Sequence, residues 1–208
     1  MNPLDELSKL TSMFPTPKPL FAAVDYIASS TAPEPYRTLL VHDHHMTVTM
    51  EAHHGGPVAV EVLAERRIGD VYCRKIVLRR TEDGGRDAGR VVQFGLVRFD
   101  LGYVIPEVRE EILAGQTPLG RVLINYNVLR QVDFGAILRF EAGPELAELL
   151  PIDEGQRTFG RLATIFCNNR PAVDLLEVAA PIDGEAVDEA AAAVEVEEGT
   201  ALHVRESD

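Results

Sequence analysis

The chain has little cysteine, no surplus of positive charge and no long apolar run, and each shortage removes a class of function. Only Cys73 and Cys167 are present, in no CxxC pairing and each inside a strand-like run. They read as small core or sheet-face residues rather than as a disulfide or a metal site. A formal net charge of -13 argues against the basic face that phosphate contact needs, so nucleic acid is not expected as a partner. No stretch approaches the roughly 18 uninterrupted apolar residues of a membrane span. The opening MNPLDELSKL has an early acidic pair and no apolar core leading to a small-residue cleavage site, so no secretory signal is expected and the location reads as cytoplasmic. The motifs of common chemistries are missing too: there is no GxSxG elbow and no glycine-rich phosphate loop. Five histidines fall between His42 and His54, but only His42 and His45 stand at a useful helical spacing, with no His-x3-His pair. They read as a satisfied or solvent-facing cluster near a pocket mouth, and no metal is expected.

What is present suits one globular domain. The 208 residues are 46% hydrophobic with mean hydropathy -0.02, enough for one substantial core. Charge is unevenly placed: from Pro181 onward nine acids face Arg205 alone, so -8 of the -13 lies in the tail. Residues 1–35 are rich in Pro, Ser and Thr and read as a wrapping segment, with Leu20 to Ile27 expected as one or two turns of helix. Residues 36–181 form the expected domain, and residues 182–208 an acidic, flexible tail. Within the domain, TLLVHDHHMTVTMEAHHGG reads as a helical or mixed segment stopped by Gly55, Gly56 and Pro57. PVAVEVLAERR, VYCRKIVLRR and RVVQFGLVRFDL alternate apolar and polar residues as consecutive antiparallel strands. PEVREEILAG opens on Pro106 and closes on Gly115 as a short helix, and TPLGRVLINYNV as a second, with Thr117 the expected N-cap. RQVDFGAILRFEA, RTFGRLATIFCNN and RPAVDLLEVAAPI complete the set, the last two joined by an Asn168–Asn169 hairpin turn. About six strands with helices gathered around them make an antiparallel α+β domain.

Two charged residues sit on apolar strand faces. If its run is regular, Arg74 shares a face with Tyr72, Ile76 and Leu78, and Glu177 with Leu175 and Ala179. A buried guanidinium without a partner is expensive, and a buried carboxylate is either paired or protonated. Arg74 and Glu177 therefore bond to one another, lie on an uncovered sheet face, or hold a ligand, with the planar fork of Arg74 suited to a carboxylate. In GQTPLGRVLI, Pro118 fixes one backbone angle, Gly120 permits close approach, and the amides at the helix start are free to bind an anion or simply to be capped.

Taken in order, LLVHDHHMT, YCRKIVL, TPLGRVLI and FGRLATIFCNNRPAVDLLEVAAP resemble the chorismate pyruvate-lyase family across roughly Leu39 to Pro181. The family shares its fold with effector-binding domains of bacterial transcription regulators. The resemblance implies a single antiparallel sheet with helices on one side and a largely enclosed site. It implies cleavage of chorismate to 4-hydroxybenzoate and pyruvate without a cofactor, with Arg74 and Glu177 as the catalytic pair. Arg74 would grip the ring carboxylate and Glu177 would meet the far oxygen at ring position 4. The amides of Met46, with His45 as the alternative, and Leu119 would complete the carboxylate cradle, with Thr117 and Gly120 beside them. The ring becomes aromatic as the ether breaks, so the protein need only orient the substrate and stabilise charge on the departing pyruvate. Two other readings stay open: a binding or sensing domain of the same fold that does not turn its ligand over, and a lyase or isomerase for a related ring acid.

Overall fold

The computed structural model describes residues 2–81 and 88–182. Part of the turn-rich TEDGGRDAG segment and the acidic tail from residue 183 on lie outside them. Seven strands form one sheet: β1 (Phe21–Ile27), β2 (Val58–Ile68), β3 (Val71–Arg80), β4 (Val91–Asp100), β5 (Arg130–Ala142), β6 (Arg157–Cys167) and β7 (Arg170–Ala179). Their order is β1-β5-β6-β7-β4-β3-β2 and every pairing is antiparallel. Six of the seven strands stand where the alternating runs placed them. The seventh, β1, corrects the expectation of helix over Leu20 to Ile27. Strand β5 offers a free edge with a row of unpaired backbone groups, and Phe21 to Ile27 satisfies it, with Val24 opposite Phe140 and Tyr26 opposite Leu138. The Phe21 ring, 4.3 Å from that of Phe140, pins one end of the pair.

Helices α2 (Tyr36–Leu40), α3 (Met46–His54), α4 (Pro106–Ala114) and α5 (Leu119–Asn125) gather on one side of the sheet, as expected of the fold class. Their apolar residues Leu40, Met50, Ile112 and Leu123 pack on Ile76, Phe99, Phe159 and Ile165, which share one strand parity. Helices α3 and α4 end on Gly55 and Gly115 at φ 67° and 68°, the left-handed conformation that stops a helix cheaply only at glycine. The Asn168–Asn169 turn has φ 52° and 62°, the geometry of a tight hairpin.

On the other face lie α1 (Pro3–Thr11) and, at the sheet's end, α6 (Pro144–Leu149). Leu7 and Leu10 of α1 join Phe94, Leu96, Leu162, Leu176 and Val178 in a second core. Each fully buried Leu or Phe contributes about 1.5–3 kcal/mol, so α1 is anchored rather than wrapped loosely. Its signals are local: Asn2 caps Leu4, Pro3 occupies the first turn, and Asp5 and Glu6 lie at the positive end with Lys9 at the negative one. Among the described residues no helix is long and apolar enough to cross a membrane.

Candidate functional site

Strand β4 runs down the middle of the candidate site. Gln93, Gly95 and Val97 face α3 and α5, and the register places Ile76 and Glu177 on either side of Gly95, and Arg74 and Leu175 on either side of Val97. Arg74 and Glu177 are thus separated by a whole strand and a two-residue step, roughly 12 Å between backbones. They do not form an ion pair with each other.

Glu177 instead accepts from Arg161, its direct cross-strand neighbour on β6, with Nε to Oε2 at 2.7 Å. Arg161 is 1% exposed, and its remaining nitrogens donate to backbone carbonyls of Leu40 (3.4 Å), His42 (2.9 Å) and His44 (3.0 Å). The histidine-rich segment between α2 and α3 is therefore folded around a buried guanidinium, and its backbone is what contacts the charge. Among the described residues no group of three or more His, Cys, Asp or Glu is arranged to hold a metal ion.

Arg74 is also 2% exposed, but its Nη1 has no acceptor among the described residues. Burial pulls its pKa down, opposed by Tyr72 and Glu65 beside it. The Tyr72 hydroxyl donates to Glu65 at 2.7 Å, and burial, reinforced by that bond, pushes its pKa up to about 12. Gln93 is the second orphan: 2% exposed, with Oε1 unbonded.

The roof over these side chains is the start of α3 and the start of α5. Gly120 is where they touch: a Cβ there would lie 2.8 Å from the His45 Cβ and 3.1 Å from the Thr47 hydroxyl oxygen. Arg121 pairs with Glu51 across the same two helices. First-turn amides of a helix have no acceptor within it, and Met46, Thr47, Leu119 and Gly120 all line the cavity below. His45 precedes α3 and accepts from Arg130 Nε at 2.8 Å. Burial, then the charges of Arg130 and Arg161, depress its pKa to about 4, so it is a neutral acceptor. Burial likewise lowers the His42 pKa, with Arg161 adding to it.

The enclosed space is about 40 Å³, bounded by His45, Met46, Arg74, Gln93, Leu119 and Glu177 among others. That is room for a water or two, against about 150 Å³ for a cavity that takes benzene. Of the residues named from sequence, Arg74, Glu177, Met46, Leu119 and Gly120 meet here, and so does His45. Thr117 does not. Its hydroxyl donates to Glu111 of α4 at 2.6 Å, and Pro118 holds the cap position of α5, so the expected Thr117 N-cap is corrected. Arg161 and Gln93 were missed. Arg161 alternates with Phe159, Ala163 and Ile165, the same signal that singles out Arg74.

A much larger space, about 790 Å³, lies on the opposite face beside α1. It is an open groove with two ion pairs at its rim, Arg98 with Asp174 at 3.2 Å and Lys9 with Glu6 at 3.2 Å. No side-chain polar atom lining it is both buried and unbonded among the described residues.

No protein-family model matches the chain, and no curated protein matches it. Solved structures give distant likenesses. A ligand-binding domain assigned to a GntR-family transcriptional regulator from Bordetella bronchiseptica is 16% identical, with TM-score 0.44, covering 59% of this chain and 85% of that one. PhnF from Mycobacterium smegmatis is 13% identical, with TM-score 0.44 and coverage of 65% and 63%. The C-terminal domain of the histidine utilization repressor from Pseudomonas syringae pv. tomato is 12% identical, with TM-score 0.40 and coverage of 63% and 99%. None of the three is named as a chorismate pyruvate-lyase, and at these scores the likenesses say nothing about what this chain binds or does.

Proposed function

We propose that this chain binds a small carboxylate-bearing compound between the β3–β4–β7 surface and the starts of α3 and α5, with Arg74 as the anion receptor. The supporting observation is the Arg74 guanidinium, buried with Nη1 unbonded. Such a group costs several kcal/mol unless an anion completes it. The free amides of Met46, Thr47, Leu119 and Gly120 add neutral donors on the same side of the cavity. A ring acid needs more than the 40 Å³ available, so α3 and α5 must part to admit it and close over it. Such a ligand exchanges slowly.

Binding without turnover is the reading favoured, because Glu177 Oε2, which the lyase reading asks to handle the ether oxygen, is already engaged by Arg161. Calorimetric titration with benzoate and 4-hydroxybenzoate tests the receptor. At least one binds, and Arg74→Met weakens it about 10- to 100-fold, the worth of a charge-assisted hydrogen bond. Equal affinity in wild type and Arg74→Met, or no binding of either acid, overturns the reading.

Chorismate cleavage is the second reading, and what favours it is that Glu177 lines the same cavity as Arg74 across Gly95. Incubation with chorismate decides between the two. Pyruvate and 4-hydroxybenzoate rising one-for-one, and lost in Glu177→Gln, establish the lyase; 4-hydroxybenzoate bound with no pyruvate released establishes a binding domain.

A further inference from the structure

We infer that Gln93 is the cavity's second ligand-reading group, selecting a small carboxylate that also carries a hydrogen-bond donor, a hydroxyl or an amine, away from its anionic end. The inference rests on Arg74 as the anion receptor and deepens that reading. Among the described residues nothing explains a glutamine at this position. It is 2% exposed, its row neighbours Leu78 and Ala179 are apolar, and Oε1 has no donor among the described residues. A buried carbonyl left unbonded costs about 1–3 kcal/mol, and a leucine or methionine would fill the same volume without that cost.

The placement matters as much as the burial. Arg74 contributes an unbonded donor and Gln93 an unbonded acceptor to one cavity, and the two belong to rows four residues apart on β4, roughly 13 Å. Gly95 lies midway. Its missing side chain keeps the floor between them low, since a Cβ there would come within 3.2 Å of Ile76. A compound with an anion at one end and a donor at the other satisfies both orphans at once. A ligand with only the anion leaves Gln93 unpaired, and sites built around a buried hydrogen-bonding group reject such analogues strongly.

The test compares benzoate with its monohydroxy and monoamino derivatives by calorimetry on wild type, Gln93→Leu and the volume-matched Gln93→Met, with thermal melting to show that the variants fold. In wild type the best hydroxy or amino derivative binds at least about 10-fold more tightly than benzoate. In both variants that preference falls to near unity, because the site no longer pairs with the ligand's donor or penalises its absence. A preference that persists in Gln93→Leu and Gln93→Met overturns the role of Gln93. Arg74-dependent binding of benzoate with no preference for donors in wild type overturns it as well and leaves the anion receptor standing. Binding of none of the compounds removes both.

Discussion

The two faces of the sheet differ in a way that separates room from function. The α1 face holds an open groove of about 790 Å³, with Arg98 paired to Asp174 and Lys9 to Glu6 at its rim and no lining side-chain polar atom both buried and unbonded among the described residues. The cavity beneath the starts of α3 and α5 has only about 40 Å³, and its lining holds two buried side-chain polar atoms with no hydrogen-bond partner among the described residues. Volume is cheap to leave at a surface, because water fills it. An unbonded guanidinium nitrogen lining a buried cavity is expensive, and a ligand that completes it recovers that cost. The smaller space is therefore the better candidate.

The largest expected effect comes from breaking the buried charge network that supports this face. Arg161→Met removes the partner of Glu177 and three carbonyl contacts, and should cost about 3–5 kcal/mol in denaturant unfolding. A loss below about 1 kcal/mol would mean that the network is ornamental to stability. Arg74→Met should act in the opposite direction. Replacing a buried guanidinium that keeps one nitrogen unbonded with an apolar side chain of similar length is expected to raise stability by about 1–4 kcal/mol in the ligand-free protein, while anion binding is lost. A destabilised Arg74→Met would show that Arg74 is satisfied within the protein.

The next effect sharpens the comparison through pH. The His45 pKa of about 4 lies below that of an unfolded histidine, so on acidification the unfolded chain takes up the proton first. Its contribution is full above about pH 6.5 and is lost as pH falls towards 4, on the order of 2 kcal/mol after allowance for partial exposure. His42 is shifted in the same direction and adds to the slope. Urea unfolding of His45→Gln across that window should be visibly flatter than wild type; an unchanged slope would remove His45 from the explanation. The smallest effect belongs to the α1 face. Arg98→Ala breaks a half-exposed pair and should cost no more than about 1 kcal/mol, and a loss comparable to that of Arg161→Met would erase the contrast.

Much of this architecture is legible in the sequence because strands buried on one or both faces carry their own pattern. β2 to β7, the Asn168–Asn169 turn and the glycines ending α3 and α4 follow from alternation and turn chemistry alone. Phe21–Ile27 does not, since an edge strand with several exposed residues has too weak a period to distinguish it from a helical turn, and only the partner β5 decides. The Asn2, Pro3, Asp5, Glu6 and Lys9 signals of α1 were readable but hidden by the proline-rich context that follows. At the site, Arg74 and Glu177 stand out as charges among apolar neighbours, and Arg161 carries the same mark. What no pattern reveals is which charge pairs with which. The register puts Arg161 rather than Arg74 beside Glu177. Gln93 is harder still, because the start of β4 is buried on both faces and an uncharged side chain in such a run does not stand out as Arg74 does.

The strand order has a consequence for how this protein comes into being. β4 pairs with β7, the last strand of the chain's sheet, so Gly95 gains its neighbour Glu177 only when nearly the whole domain has been made. Until then Gln93 on β4 and Arg161 on β6 sit on unfinished sheet edges. Contacts so distant in sequence form late and slowly. The proposed ligand binding would consequently read out completed folding, and chains stalled before β7 should be recognisable as a population with helices and hairpins but no affinity.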